Sequence, residues 1–191
     1  MPLLLETIKI EDGKLSNLSY HQARFDKSQK DLFAITNRID LNTVIKAPKI
    51  GLYRCRILYD EIIRSIEYIP YKEKNITKLK IVPLDIDYTY KYANRETFTK
   101  LLQAYSTYDE IIIEKGGYLT DTTISNIAFY DGEKWLTPSH PLLPGTMRAK
   151  LLNEGFLHKK EIKKEDLKNY SQIALMNSMI GFKILNNFTI E

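Results

Sequence analysis

The segment Leu142-Leu143-Pro144-Gly145-Thr146-Met147-Arg148 has the makings of an anion site. An apolar pair followed by Pro-Gly-Thr at a helix start leaves backbone N–H groups and a hydroxyl at the positive helix end, where a phosphate is stabilised. An ordinary helix start capped by Thr146 would read the same way. A second candidate is Thr120-Asp121-Thr122-Thr123-Ile124-Ser125-Asn126, polar at six positions inside a stretch, Gly117 to Phe129, that otherwise reads as buried sheet. Buried polar groups must be paired, so this cluster needs an internal ligand or a dense network. The alternative is a polar sheet edge facing solvent. Third, Tyr88-Thr89-Tyr90-Lys91-Tyr92-Ala93-Asn94-Arg95 sets one lysine among tyrosines. Partial desolvation by aromatic rings lowers a lysine pKa and favours imine formation with an aldehyde. A solvated lysine resting its stem on the rings has the same sequence. His21 and Arg24 sit three residues apart on a first helix, hence on neighbouring turns, as surface pairs often do.

Other chemistries find no support. With three histidines (His21, His140, His158) and one cysteine, no zinc pattern exists and no metal is expected. A Walker loop, a G-x-G-x-x-G and a G-x-S-x-G elbow are all missing. The net charge of +4 comes from scattered lysines. Its densest stretch, Lys159, Lys160, Lys163 and Lys164, also holds Glu161, Glu165 and Asp166, which reads as a solvated helix end rather than a nucleic-acid surface. No apolar run is long enough for a bilayer, and Met1-Pro2-Leu3-Leu4-Leu5-Glu6 is too short for a signal segment. The lone Cys55 allows no internal disulfide and suits a reducing compartment. The expectation is a cytoplasmic protein with neither nucleic-acid nor membrane partner.

The positioning elements follow from periodicity. Leu3 to Ile10 reads as a strand closed by the turn Glu11-Asp12-Gly13-Lys14. Helical spacing runs from Leu18 to about Phe33, with Asn17 placed as its cap. Residues 51–58 and 61–69 form a hairpin across Tyr59-Asp60, ended by Pro70. A polar loop, 72–80, leads into a strand at 79–83, and a second regime begins near Leu84. Tyr92 to about Tyr105 reads as helix. Strands at 109–114, 124–130 and 134–137 turn at Lys115-Gly116-Gly117 and Asp131-Gly132-Glu133. A helix runs from Pro144-Gly145 to Gly155, a short one covers 163–170, and strands close the chain at 172–176 and 182–185.

In this order and spacing the motifs resemble the class IV pyridoxal-phosphate family, which includes branched-chain and D-amino-acid aminotransferases and aminodeoxychorismate lyase. Glu6-Thr7-Ile8 to Asp12-Gly13, followed by His21-x-x-Arg24-Phe25, is similar to its opening. Lys91-Tyr92-Ala93-Asn94-Arg95 resembles its lysine motif, and Thr120-Asp121 to Ser125-Asn126 its "T-E-x-x-x-S-N" segment. Thr137-Pro138 with Leu142 to Arg148 is the nearest match, and Asn177-Ser178 resembles the late turn. The likeness covers nearly the whole chain.

The resemblance implies a two-lobed α/β (α+β) fold: a small N-terminal α/β lobe over 1–84 and a pseudo-barrel lobe over 85–191, with pyridoxal 5′-phosphate in the crevice between them. It implies that Lys91 is the Schiff-base lysine and moves the Cα proton, and that Asp121 pairs with the ring nitrogen. Arg24, the N–H groups of Thr146 and Met147 after Gly145, and Ser178 would hold the phosphate, with Asn126 and Asn94 as network residues. Thr7 occupies the strand where the lyase branch places a hydroxyl that helps protonate the leaving group. A homodimer acting on a small amino substrate is expected. The activity expected first is 4-amino-4-deoxychorismate lyase, a step toward folate. A branched-chain or D-amino-acid aminotransferase and a non-catalytic cofactor-binding homologue remain as alternatives. Two departures bear on the choice: Asp121 is one methylene shorter than the family's Glu, and the chain starts at the "E-T-I" strand, without the longer N-terminal strands of most members.

Overall fold

Strict alternation along the opening strand organises the first part of the chain. A computed structural model describes residues 1–191. In strand β1, Leu4–Glu11, the side chains of Leu4, Glu6, Ile8 and Ile10 are fully buried, while Thr7 and Lys9 on the other face are partly exposed. Asp12 and Gly13 take positive φ to turn the chain into β2, Lys14–Leu15. Strands β3, Leu52–Tyr59, and β4, Ile63–Pro70, complete an antiparallel sheet in the order β2-β1-β3-β4. Cys55, Ile57 and Tyr59 share the buried face with β1. Helix α1, Leu18–Phe33, supplies Phe25, whose ring centroid lies 4.5 Å from that of Tyr59. Helix α2, Leu41–Val44, adds Leu41 and is capped by the Asp40 carboxylate, which accepts from the Asn42 amide. Each fully buried aliphatic side chain contributes about 1.5–3 kcal/mol, so one apolar stripe on α1 suffices to hold it on the sheet.

Asn17 stands at the N-cap of α1, as expected, but its side chain does not cap the helix. It adopts φ 53 and makes no side-chain cap hydrogen bond, and its carbonyl accepts from the amides of Tyr20 and His21 instead. Asn tolerates the left-handed region at small cost, so the residue serves the turn rather than the cap.

By contact density the chain forms two units: Met1–Glu73 together with Tyr90–Asn94, and Lys74–Thr89 together with Arg95–Glu191. The helix expected from Tyr92 starts only at Glu96 (α3, Glu96–Ala104). The residues before it are extended: Tyr92 bridges Leu4, the Leu5 amide donates to the Lys91 carbonyl, and the Ala93 amide donates to the Leu3 carbonyl. Backbone pairing with the first unit outcompetes helix formation there.

The second unit is a nine-stranded mixed sheet. Strands β5, Lys78–Pro83, and β6, Glu110–Lys115, are parallel, with α3 between them in the chain. Glu110 to Ile113 are all buried, the continuous pattern of a strand covered on both faces. Gly116 and Gly117, both at positive φ, turn β6 into β7, Tyr118–Thr122. Strand β8, Asn126–Tyr130, pairs with β7 at Asn126 and then with β9, Trp135–Pro138, from Phe129. Its other edge carries β11, Gln172–Asn177. Helix α4, Thr146–Asn153, connects β9 to the parallel edge strand β10, Leu157–Lys160. Lys159 and Lys160 therefore lie on an edge strand and not at a helix end, a use of lysine that protects exposed edges. Lys164–Asn169 is a 3₁₀ turn, β12 is Gly181–Ile184, and β13, Thr189–Ile190, lies parallel beside β5. The core gathers Leu79, Ile112, Ile127, Phe129 and Leu175. No helix is long and apolar enough to cross a membrane.

Candidate active site

In the first unit, the fully buried Glu6 carboxylate is the centre of a charged cluster. Arg24 approaches it with two parallel bonds, Nε to Oε1 and Nη2 to Oε2, both 2.7 Å. The His21 Nδ1 lies 2.7 Å from Oε2. Burial alone pushes Glu6 up, but the Arg24 guanidinium and the His21 bond outweigh it and hold the carboxyl at about 2. Burial also lowers the His21 pKa below its ordinary value, against the pull of Glu6 and with the charges of Arg24 and Lys91 adding to it. The ring is therefore neutral, with its hydrogen on Nδ1 donating to Glu6. Alternation along β1 and the spacing of one helical turn on α1 bring these three residues together. The pairing orients Arg24 and fixes its plane, as a bidentate carboxylate does.

Lys91 belongs to the same unit and is partly buried. Its carbonyl is held by the amide of Leu5, which lies on the opposite face of β1 from Glu6. Thr7 shares the face of Leu5 and stands in register with Arg56 of β3. The segment 91–93 is thus anchored beside β1, the strand that carries Thr7.

In the second unit, every polar residue of the Thr120–Asn126 cluster is buried, so the network reading holds and the solvent-facing edge does not. The Thr120 hydroxyl donates to the Ile113 carbonyl at 2.9 Å, and that of Thr123 to the Glu110 carboxylate at 2.6 Å. The Thr122 hydroxyl accepts from the Ser125 amide at 3.0 Å. Asp121 Oδ1 accepts from Asn126 Nδ2 at 2.7 Å, and its Oδ2 from the Leu143 amide at 2.9 Å. The same Asn126 nitrogen donates to the Leu143 carbonyl at 2.9 Å. Asp121 and Asn126 thereby clamp the loop that leads into α4. Burial raises the Asp121 pKa to about 6, with the Leu143 amide, Asn126 and the charge of Arg148 pulling it back.

Gly145 is the N-cap of α4, and no side chain caps that helix; Thr146 is its first residue and is buried. A Cβ on Gly145 would lie 2.0 Å from Asn126 Oδ1, so glycine is required there for space. The Asn177 carboxamide ties the late turn to this cluster. Its oxygen accepts from the Met179 and Ile180 amides, and its nitrogen donates to Ser125 Oγ at 2.9 Å. Ser178 stands on that turn. Asp121 and Asn126 are therefore bonded to Leu143 of the loop that leads through Gly145 to Thr146 and Met147, and Asn177, next to Ser178, bonds to Ser125 of the same cluster. Lys91, Arg24 and Thr7 belong to the first unit.

Two residues had no role assigned from sequence. Glu6 was part of a motif, but its partners lie 15 and 18 positions away. Arg148 is buried, donates from Nη2 to the Pro138 carbonyl at 2.8 Å, and has a buried Nε with no partner. The one available signal was an arginine in the first turn of a helix, where a cation is disfavoured.

The family described as Amino-transferase class IV matches residues 63–185. The chain belongs to the class IV aminotransferase family. Pyridoxal 5′-phosphate is the cofactor that goes with it. A candidate 4-amino-4-deoxychorismate lyase from Haemophilus somnus 129PT is 38% identical, with a TM-score of 0.86 over 95% of this chain and 98% of that one. An uncharacterized protein of Haemophilus influenzae is 36% identical over 184 residues, 93% of this chain and 98% of its own length. A candidate aminodeoxychorismate lyase of Schizosaccharomyces pombe is 33% identical over 129 residues, covering 61% of this chain and 54% of the relative.

The residues present fit this cofactor. A desolvated carboxylate held near 6, as at Asp121, is stabilised by a cation such as a protonated pyridine nitrogen. The bonds it accepts from Asn126 and the Leu143 amide leave acceptor capacity, since a carboxylate offers about four lone-pair sites. The α4 start, uncapped by any side chain, presents amides suited to a phosphate.

Proposed function

We propose that this protein is a 4-amino-4-deoxychorismate lyase, releasing pyruvate and forming 4-aminobenzoate on the way to folate. The reading rests on the Thr7 hydroxyl, which stands on the strand face shared with Leu5, whose amide anchors Lys91. A transaminase needs no second proton donor on that face. Likeness along almost the full chain to the Haemophilus somnus protein supports it.

Pyridoxal phosphate, when bound, supplies the electron sink. In this reading Lys91 would hold the cofactor through Nζ, and the same Nζ would take the proton from the carbon bearing the substrate amine. Asp121 holds the proton of the ring nitrogen, positioned by Asn126. Arg24, fixed by Glu6, binds the phosphate together with the Thr146 and Met147 amides that follow Gly145, and with the Ser178 hydroxyl. Thr7 Oγ1 would give a proton to the departing enolpyruvate, which tautomerises to pyruvate, and would regain one from solvent as Lys91 releases the proton it took; aromatisation drives the step. The assembly proposed is a cytoplasmic homodimer, which light scattering checks against the 22.3 kDa chain.

The test is pyruvate release from aminodeoxychorismate beside keto-acid turnover with leucine, D-alanine and glutamate. Pyruvate without comparable transamination is the expected result. Rapid transamination with negligible pyruvate would move the protein to the aminotransferases, and silence in both assays to the non-catalytic homologues.

A further inference from the structure

The face of the first sheet that carries Thr7 also carries a cationic cavity. Arg56 of β3 stands in register with Thr7 on one side and with Glu67 of β4 on the other. Its chain neighbours Cys55 and Ile57 are fully buried on the opposite, helix-covered face. An open cavity of about 440 Å³ lies here, lined by Leu3, Arg56, Leu58, Tyr92 and Asn94 among others. Arg56 is the one charged residue in its wall. Tyr92 and Asn94 follow Lys91 within three positions, and the wall residue Leu58 is in register with Leu5, which bonds to Lys91.

We propose that Arg56 determines specificity by binding a carboxylate of the substrate that lies remote from its reacting amine. For the lyase reaction this is the ring carboxylate, which is retained in 4-aminobenzoate; the identity of that carboxylate rests on the lyase reading, but the anion site does not. Arg56 Nη1 donates to Glu67 Oε2 at 2.9 Å, using one of its five donors. Both partners are partly exposed, with side-chain accessibilities of 31% and 47%, so the pair is weak and gives way readily. A planar guanidinium in a mostly apolar wall, whose other polar side chains are those of Tyr92 and Asn94, matches a carboxylate with two parallel bonds. Pockets of this kind take orientation from a few polar groups and affinity from the apolar remainder.

The experiment compares 4-aminobenzoate with its neutral isostere 4-aminobenzamide by calorimetry on the cofactor-loaded protein. Wild type should bind the acid at least tenfold tighter. Arg56→Gln should lose that preference, with its melting curve and its borohydride-trapped cofactor unchanged. If Arg56→Gln does not fold, Arg56→Met keeps the aliphatic stem and carries the same expectation. Glu67→Gln should bind the acid as tightly as wild type or more so. No preference in wild type, an undiminished preference without Arg56, or a loss in Glu67→Gln equal to that in the arginine variant would each overturn the proposal. The lyase reading fails separately: a wild type that prefers the acid but releases no pyruvate keeps the anion site and loses the reaction.

Discussion

Replacing Asp121 by Asn should stabilise the cofactor-free protein at neutral pH while removing the group proposed to hold the ring-nitrogen proton. Asp121 is almost fully buried, and burial carries its pKa from an ordinary 3.8 to about 6. Between those values the folded chain keeps a proton that the unfolded chain has lost, so stability falls as pH rises through the window. At 1.36 kcal/mol per pKa unit the full penalty above pH 6 is roughly 3 kcal/mol. The substituted carboxamide does not titrate. Its oxygen can still accept from the Leu143 amide, but its nitrogen meets the Asn126 nitrogen, which must flip and give up the Leu143 carbonyl. That loss is worth about 1 kcal/mol. The variant should be about 1 kcal/mol less stable than wild type at pH 3 and about 2 kcal/mol more stable at pH 7.5, the latter roughly 4–8 °C in melting temperature. Urea and thermal unfolding of the cofactor-free proteins at the two pH values measure this. Parallel stability curves for the two proteins would show that the buried carboxylate carries no such penalty and would refute the reasoning.

Glu6→Gln leaves Arg24 without its buried partner and should destabilise by about 3–5 kcal/mol at pH 7. Because the Glu6 pKa falls from 4.5 to about 2, its contribution is present above pH 4.5 and lost as pH drops toward 2, so the two proteins should converge in urea midpoints near pH 2. Gly145→Ala forces Asn126 off Asp121 and should weaken pyridoxal-phosphate binding roughly tenfold, the worth of about one lost hydrogen bond. An unaltered dissociation constant in an absorbance titration would contradict it. Thr7→Val should slow pyruvate release about a hundredfold, the lower end of general-acid assistance, with 4-aminobenzoate affinity unchanged; full retention of rate would remove Thr7 from the chemistry.

Much of the fold was legible because local periodicity and tertiary burial agree. The alternation of Leu4, Glu6, Ile8 and Ile10, the stripe on α1 and the glycine turn at 116–117 are local signals, and each element formed within a residue or two of its expected place. The residues around Tyr92 misled because nothing local shows that Leu4 and Leu5 will pair with them. Leu157–Lys160 misled for a like reason: its parallel partner, Trp135–Pro138, is far away in sequence. The candidate site divides the same way. The density of hydroxyls from Thr120 to Asn126 already required a network. That Glu6 would fix Arg24, and that Asn177 would tie the late turn to Ser125, depends on contacts between distant segments.

The account stands most directly on Lys91. Reducing the cofactor-loaded protein with borohydride, digesting it and mapping the modified peptide should place the pyridoxyl group on the segment containing Lys91. Lys91→Ala should yield no modified peptide. A pyridoxyl group on any other lysine, or an unmodified Lys91 in a protein that retains the cofactor, would contradict the account.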